Sequence, residues 1–379
     1  MKNKIIIALF LLLVFGMTAL DMLSPDRSFS ENENRELALF PEVSAERIFS
    51  GKFGQDYESY ITDQFALRDP FIKIKFLSDR ALLKAESGGV YIADDALFVK
   101  QSDVNKEYLK KNVSAMESFA SKYPARFILV PSATYIARNE LPPFAEVQDE
   151  KALFDELSSE FKNIGFINIL PLFEEKKDMY INLDINNLYF RTDHHWNADG
   201  ALKGYNAYRK ALGKGSLTKD DFVVSVVSDE FLGTSTSKSG AVGITPDILE
   251  KWEIGNVLSL DVYNGKETVT YDSLYFEEYL SKKDKYSYYL GQNQPIVKIK
   301  TESDGGRLLV FKDSYAHIFS QMLLSDYSEI VLVDLRYVRE RVALLLPKIT
   351  GLSLEDFDEV LFLYSADTFV TESNMLWLK

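Results

Sequence analysis

The 379 residues are 46% hydrophobic and 13% aromatic, enough for a sizeable core and against disorder over most of the length. A formal net charge of −14 argues against nucleic acid as a partner, because its phosphates would repel the chain. No cysteine is present, which excludes disulfides, thiol catalysis, cysteine-ligated zinc and a lipoprotein anchor.

The chain opens with two lysines and an apolar run from Ile5 to Leu20, which continues through Met22 and Leu23 past Asp21. A membrane span needs about 20 apolar residues, so residues 1–23 read as an N-terminal signal-anchor with the lysines inside and the remainder outside the cell. A cleaved signal is the alternative, but the flank "GMTALDM" lacks the alternating small residues of a cleavage site. Residues 24–45 are polar and acidic, with proline near both ends, and are expected to act as a linker. Residues 46–379 are expected to form one domain.

Within that domain, apolar residues at three- and four-residue spacing predict helix from Glu46 to about Leu83. "GGVYIADDALFVK" predicts a hairpin turning at Asp94 and Asp95, and a helix follows over roughly Asn105–Lys122. Strands and helices then alternate. "ARFILVPSA" is a strand, "DEKALFDELSSEFKNI" a helix, "GFINILPLF" a strand and "DGALKGYNAYRKAL" a helix. "GRLLVFKDSYAHIFSQMLL" runs from strand through turn to helix. "SEIVLVDLR" and "DEVLFLYSA" are strands on either side of the helical "YVRERVALLLPKI". This alternation predicts an α/β fold, a mostly parallel sheet covered by helices on both faces. Residues from about 218 to 300, rich in Ser, Thr, Tyr and Asp, interrupt it as a β- or loop-rich insert.

Reactive groups of an open parallel sheet gather at the carboxyl ends of its strands. Ser314 lies in such a turn, between a strand and a helix whose N-terminal N–H groups could hold an oxyanion. Taken alone, Ser314 or Asp313 in this position is more often a helix cap than a nucleophile. A serine nucleophile needs a base, and the chain has three histidines. His317 shares a helix face with Ser314, but its ring is drawn back over the first turn. His195, in "TDHHWN", has Asp193 two residues earlier to hold one ring nitrogen while the other faces the serine. Trp196 would wall the site, Asn197 would cap the following helix, and Gly200 would let that helix pack closely. Asp193, His194 and His195 also have metal-ligand chemistry. Neighbouring residues seldom converge on one ion, however, so no metal or cofactor is expected and His194 reads as a supporting donor. The tyrosine- and phenylalanine-rich "DSLYFEEYL" and "KYSYYLGQ" could stack on sugar rings, although packing alone explains them as well.

The block "TDHHWN" followed by "KDSYA", with the N-terminal anchor, "ENENRELALFP", "YITDQFALRD" and "FLGTSTSKSG", resembles the DHHW family, which is related to the AlgX and AlgJ proteins of alginate O-acetylation. The resemblance implies an SGNH-hydrolase-like three-layer sandwich with circularly permuted motif order, the Asp/His block preceding the serine. It implies a catalytic triad of Ser314, His195 and Asp193, with Asp313 and His194 in support. Gly233, Tyr364 and Arg336 are the candidates for oxyanion or substrate contacts, Arg336 having Asp334 as an alternative partner. Lys312 stands where the SGNH pattern usually has the glycine of a tight turn. The implied activity is transfer of acetyl to a cell-envelope or secreted polysaccharide, with a multi-pass membrane O-acyltransferase supplying the acetyl. An acetyl esterase using the same residues and a non-catalytic glycan-binding scaffold are the alternatives.

Overall fold

The computed structural model describes residues 2–30, 35–175 and 187–378. Residues 31–34, which open the "ENENRELALFP" stretch and fall in the expected linker, lie outside the described residues. The chain divides into two compact units, residues 1–88 with 236–243, and residues 89–235 with 244–379.

The first unit begins with the helix Lys2–Leu23, which is long and apolar enough to cross a membrane. The periodicity after Glu46 resolves into three helices, Ala45–Phe49, Lys52–Gln64 and Arg68–Ala81, the first capped by Ser44. The described part of residues 24–45 is tied down and does not run as a free tether. Gln64 accepts the Arg27 N–H (2.9 Å) and donates to the carbonyls of Arg27 (2.8 Å) and Ala38 (2.9 Å). Asp63 accepts the Ala38 N–H (2.9 Å). Two side chains at the end of one helix thus satisfy backbone groups that water would otherwise have to serve.

The second unit is built on an eight-stranded sheet. Its spatial order is Thr268–Tyr271, Val257–Tyr263, Ile296–Thr301, Glu329–Val333, Arg307–Lys312, Glu359–Ser365, Ala125–Val130 and Ile164–Ile167. The last five are mutually parallel and the first three antiparallel. Counted from the strand that leads into Ser314, the five parallel strands stand in the order 2-1-3-4-5, a doubly wound order. In the chain, the fourth and fifth of these come first. The expected circular permutation is therefore visible in the topology: the segment bearing Asp193 and His195 follows the edge strand, as a last motif would, yet precedes the serine. Leu308 to Phe311, Ile330 to Val333 and Leu361 to Tyr364 are buried without interruption, as strands covered on both faces must be. On one face Phe119, from the helix Lys106–Ala120, meets Phe311 and Phe362 edge-on. Helices Ala198–Ala211 and Ala316–Ser320 pack together through Tyr205 and Phe319.

Most predicted elements appear within a few residues of their expected positions. The hairpin pairs Val90–Ala93 with Ala96–Val99, and Asp94 takes the left-handed conformation its turn requires (φ 46°). Two stretches differ. "GFINILPLF" is a strand only over Ile164–Ile167; Pro171 falls at the start of a helix, Leu170–Glu174, where its missing N–H costs nothing. The stretch 218–300 is not wholly separate from the main sheet. Its strands Val257–Tyr263, Thr268–Tyr271 and Ile296–Thr301 extend that sheet, while Val223–Phe231 and Asp247–Glu253 pair with each other.

Candidate active site

Ser314 follows the strand Arg307–Lys312 at its carboxyl end, beside the strand Glu359–Ser365, where the strand order reverses. Asp313 forms the turn. One of its carboxylate oxygens accepts the N–H and hydroxyl of Ser365 (2.8 Å each), and the other accepts the Tyr315 N–H (2.9 Å). Asp313 therefore joins two adjacent strand ends and aims Ser314 outward. Lys312 does not strain this turn: it is the last strand residue, paired with Leu363, and its φ is not positive.

The aspartate–histidine segment is a narrow loop closed by the Phe190 N–H on His195 O (3.2 Å) and the Asn197 N–H on Leu188 O (3.0 Å). Asn197 caps the helix Ala198–Ala211 by accepting the Gly200 N–H (3.0 Å). Gly200 has no room for a side chain, since a β-carbon would overlap Leu188 O and lie 3.0 Å from Trp196 Cβ. Trp196 is fully buried; its indole N–H donates to Tyr315 O (2.9 Å) and its rings stack on Phe319. It thus fastens the loop to the segment that carries Ser314, which goes beyond the walling part expected from sequence.

The fold brings Asp193, His195 and Ser314 together. His195 Nδ1 lies 2.5 Å from Asp193 Oδ1, and His195 Nε2 lies 2.7 Å from Ser314 Oγ. Asp193 and His195 are buried, while Ser314 is partly open. Burial alone would raise the Asp193 pKa. The neighbouring His195 and His194, with hydrogen bonds from His195 and the Thr234 N–H, outweigh it and hold the carboxyl well below the usual range. An ionised Asp193 fixes the proton on Nδ1 and leaves Nε2 to accept the serine proton. The Ser314 N–H has no hydrogen-bond partner among the described residues, whereas the N–H groups of Tyr315, Ala316 and His317 are engaged.

Several supporting residues were not singled out by sequence. Thr234 donates its N–H (2.7 Å) and hydroxyl (2.8 Å) to Asp193 Oδ2, and its oxygen lies 2.7 Å from His194 Nδ1. Asp247 accepts the N–H (2.8 Å) and hydroxyl (2.6 Å) of Thr192 and the N–H of Arg191 (3.1 Å), which anchors the loop just ahead of Asp193. The Tyr286 ring lies flat on His195, with centroids 3.9 Å apart and planes at 9°, and its hydroxyl donates to Ser314 O (3.0 Å). Burial, and next the charge of Asp193, push the Tyr286 pKa well up, so it remains a donor. Thr234 lies in "FLGTSTSKSG" and Tyr286 in "KYSYYLGQ". Both stretches stood out in the sequence, but the contacts span 41 and 91 positions from residues 193 and 195, beyond the reach of local pattern.

The remaining candidates occupy other positions. Gly233 donates its N–H to Thr192 Oγ1 (3.1 Å) and backs directly onto Asp193, so it shapes the carboxylate site and does not face the serine. The Tyr364 ring packs near Phe369, and its buried hydroxyl has no partner among the described residues. Arg336 donates through Nε (2.8 Å) and Nη2 (2.6 Å) to Asp334, the alternative pairing foreseen for it. His317 Nε2 lies 2.9 Å from Lys312 Nζ; burial first, then that lysine's charge, hold its pKa well down, so the ring is neutral. Tyr286, Tyr288 and Tyr289 are buried, so "KYSYYLGQ" provides packing and not an open sugar platform. Donor atoms of Asp193, His194 and His195 do lie within 4.8 Å of one another. A metal there would have to displace Ser314 or Asp193 from the ring of His195, whose two nitrogens are both engaged. The arrangement is suited to activating a hydroxyl against a carbonyl carbon.

The family model described as "DHHW protein" matches residues 84–333. No curated protein matches the chain. Among solved structures, Bacillus cereus PatB1 is 20% identical with a TM-score of 0.60, over 74% of this chain and 96% of that one. The same protein "with sulfonyl adduct" is 20% identical with a TM-score of 0.61, over 76% and 98%. A DHHW family protein from Eubacterium siraeum is 19% identical with a TM-score of 0.60, over 76% and 94%. These likenesses are of fold.

Proposed function

The chain belongs to the DHHW family, and from that premise we propose that it is a membrane-anchored O-acetyltransferase acting outside the cell on a cell-envelope or secreted polysaccharide. The observation that carries this reading is the unbroken hydrogen-bonded line from Asp193 through His195 to Ser314. The Ser314 N–H beside it, without a hydrogen-bond partner among the described residues, supports the same reading.

His195 Nε2 takes the Ser314 proton as Oγ attacks the acetyl carbonyl of the donor. The oxyanion is held by the Ser314 N–H; one such donor is typically worth about 10²–10³ in rate. His195 then returns the proton to the leaving group, which departs and leaves an acetyl-serine. A sugar hydroxyl attacks that ester with His195 again as base, and Oγ recovers its proton. Tyr286 and Tyr315 cover the His195 ring on the protein side. A sugar bound over Ser314 would exclude water from the open side and so favour transfer over hydrolysis. In this reading the helix Lys2–Leu23 holds the protein to the membrane and a multi-pass membrane O-acyltransferase delivers the acetyl group.

The test is to offer the full chain an activated acetyl ester with and without oligosaccharide, and to follow acetyl on protein and sugar by mass spectrometry. Acetyl appears on Ser314 and on the sugar, and both are lost in Ser314→Ala. Acetyl released only as acetate would make the protein an esterase, and unchanged sugar acetylation in Ser314→Ala would overturn the mechanism.

A further inference from the structure

The helix Arg68–Ala81 has two apolar faces where a helix of a water-soluble unit needs one. At about 100° per residue, Ile72, Phe76 and Asp79 fall on the inner face. There Ile72 packs against Gly240, Phe76 is buried, and Asp79 accepts the Ser87 hydroxyl (3.1 Å). The opposite face carries Leu67, Phe71, Ile74 and Leu77, continued by Leu82. They are 54%, 43%, 55%, 54% and 69% exposed, which is far more open than a folding core requires. Lys73 and Lys75 flank this stripe on either side, and Arg80 and Lys84 stand near its end; Lys75 (2.6 Å) and Lys84 (2.9 Å) also reach back to the inner-face Asp79, which leaves Lys73 and Arg80 as the basic groups turned to lipid. Residues 67–84 hold five basic and two acidic side chains, a local charge of +3 in a chain of −14.

The stripe is joined to the membrane helix. Asp21, in the last turn of Lys2–Leu23, accepts the Ala66 N–H (2.9 Å), immediately before the stripe begins at Leu67. Tyr60 donates to Asp26 just beyond that helix (3.0 Å). The base of the apolar span is therefore pinned to the corner from which the exposed face runs. An apolar stripe edged with lysines, whose stems reach along the apolar surface while their charges stay in water, has the composition of a helix lying in a membrane interface.

We propose that the outer face of Arg68–Ala81 lies in the headgroup region of the bilayer that holds Lys2–Leu23, with Leu67, Phe71, Ile74 and Leu77 entering the acyl boundary and Lys73 and Arg80 meeting anionic lipid. The proposal rests on the anchor reading given above and adds a second contact, which fixes how the first unit stands on the membrane.

The chain has no native cysteine, so single-cysteine labelling is clean. Phe71→Cys, Lys73→Cys, Ile74→Cys, Ser78→Cys and Arg80→Cys are each made in the full chain. Each is labelled with an environment-sensitive fluorophore and reconstituted into phosphatidylcholine vesicles with and without phosphatidylglycerol. Spin-labelled lipids carry the quencher at shallow or deep acyl positions. The expected result is loss of fluorescence at 71, 74 and 78 to the shallow quencher. Labels at 73 and 80, at headgroup level beside the stripe, lose much less than those at 71, 74 and 78, and the loss deepens with phosphatidylglycerol and weakens with salt. Flotation of the same samples reads the anchor separately. Floating protein with no quenching on any face overturns the interface contact and leaves the anchor standing, and protein that fails to float overturns both. Labels shielded only in native membranes, and open in pure lipid, would assign the face to a membrane protein and overturn the lipid contact.

Discussion

Gly233→Ala is a sharp probe of how the carboxylate is held. A β-carbon on residue 233 would overlap Asp193 Cβ and Oδ2 and lie 2.7 Å from Cγ. The new methyl therefore has no space unless the Asp193 side chain moves. Asp193 is anchored by the Thr234 N–H and hydroxyl and by His195, so its displacement passes directly to the ring that must meet Ser314 2.7 Å away. A misplacement of about 1 Å in a catalytic group costs on the order of 10² in rate, while one extra methyl in a packed site costs about 1–3 kcal/mol of stability. The expected phenotype is a folded protein with acetyl transfer reduced about a hundredfold. The assay is acetyl-ester turnover alongside denaturant unfolding, repeated in Asp193→Gly. Glycine is needed as that partner because Asp193 Cβ is itself part of the clash. If residue 233 acts through Asp193, Gly233→Ala adds little once the side chain is gone. If instead residue 233 acts independently of Asp193, the two losses would multiply. That outcome, or full activity in Gly233→Ala alone, would refute the reasoning.

Other expectations follow from the same contacts. Thr234→Val removes a hydroxyl donor to the buried Asp193 carboxylate and should lower unfolding stability by about 1.5–3 kcal/mol, measured in denaturant. Tyr286→Phe keeps the ring on His195 but loses the bond to Ser314 O, worth about 0.5–1.5 kcal/mol. Tyr286→Leu loses the stack as well, so kcat should fall further in Leu than in Phe; equal losses would mean the ring contributes nothing. Lys312 is drawn down to about 8, first by burial and against the attraction of Asp334. Between about pH 8 and its ordinary value near 10.4 the unfolded chain binds the proton and the folded one does not, so wild type should gain stability relative to Lys312→Met as pH rises through that window. Thermal unfolding of both proteins across pH 7–11 reads this difference, and parallel curves would count against it.

Local chemistry wrote much of this protein into its sequence. The apolar run after two lysines sets a helix of membrane-crossing length, and alternating apolar strands and amphipathic helices set an α/β sandwich. The turn after a buried strand places Ser314 at a carboxyl edge, and the i, i+2 spacing of Asp193 and His195 suffices for their contact. These are short-range signals, carried by periodicity, caps and turn residues within a few positions of one another. Tertiary structure alone decided which long-range neighbours complete the site. It placed Thr234 on Asp193, Tyr286 on His195 and Gly233 behind the carboxylate. Such contacts depend on how strands order themselves in the sheet and where inserted segments return. They are settled by packing among residues distant in the chain, which no window of the sequence contains.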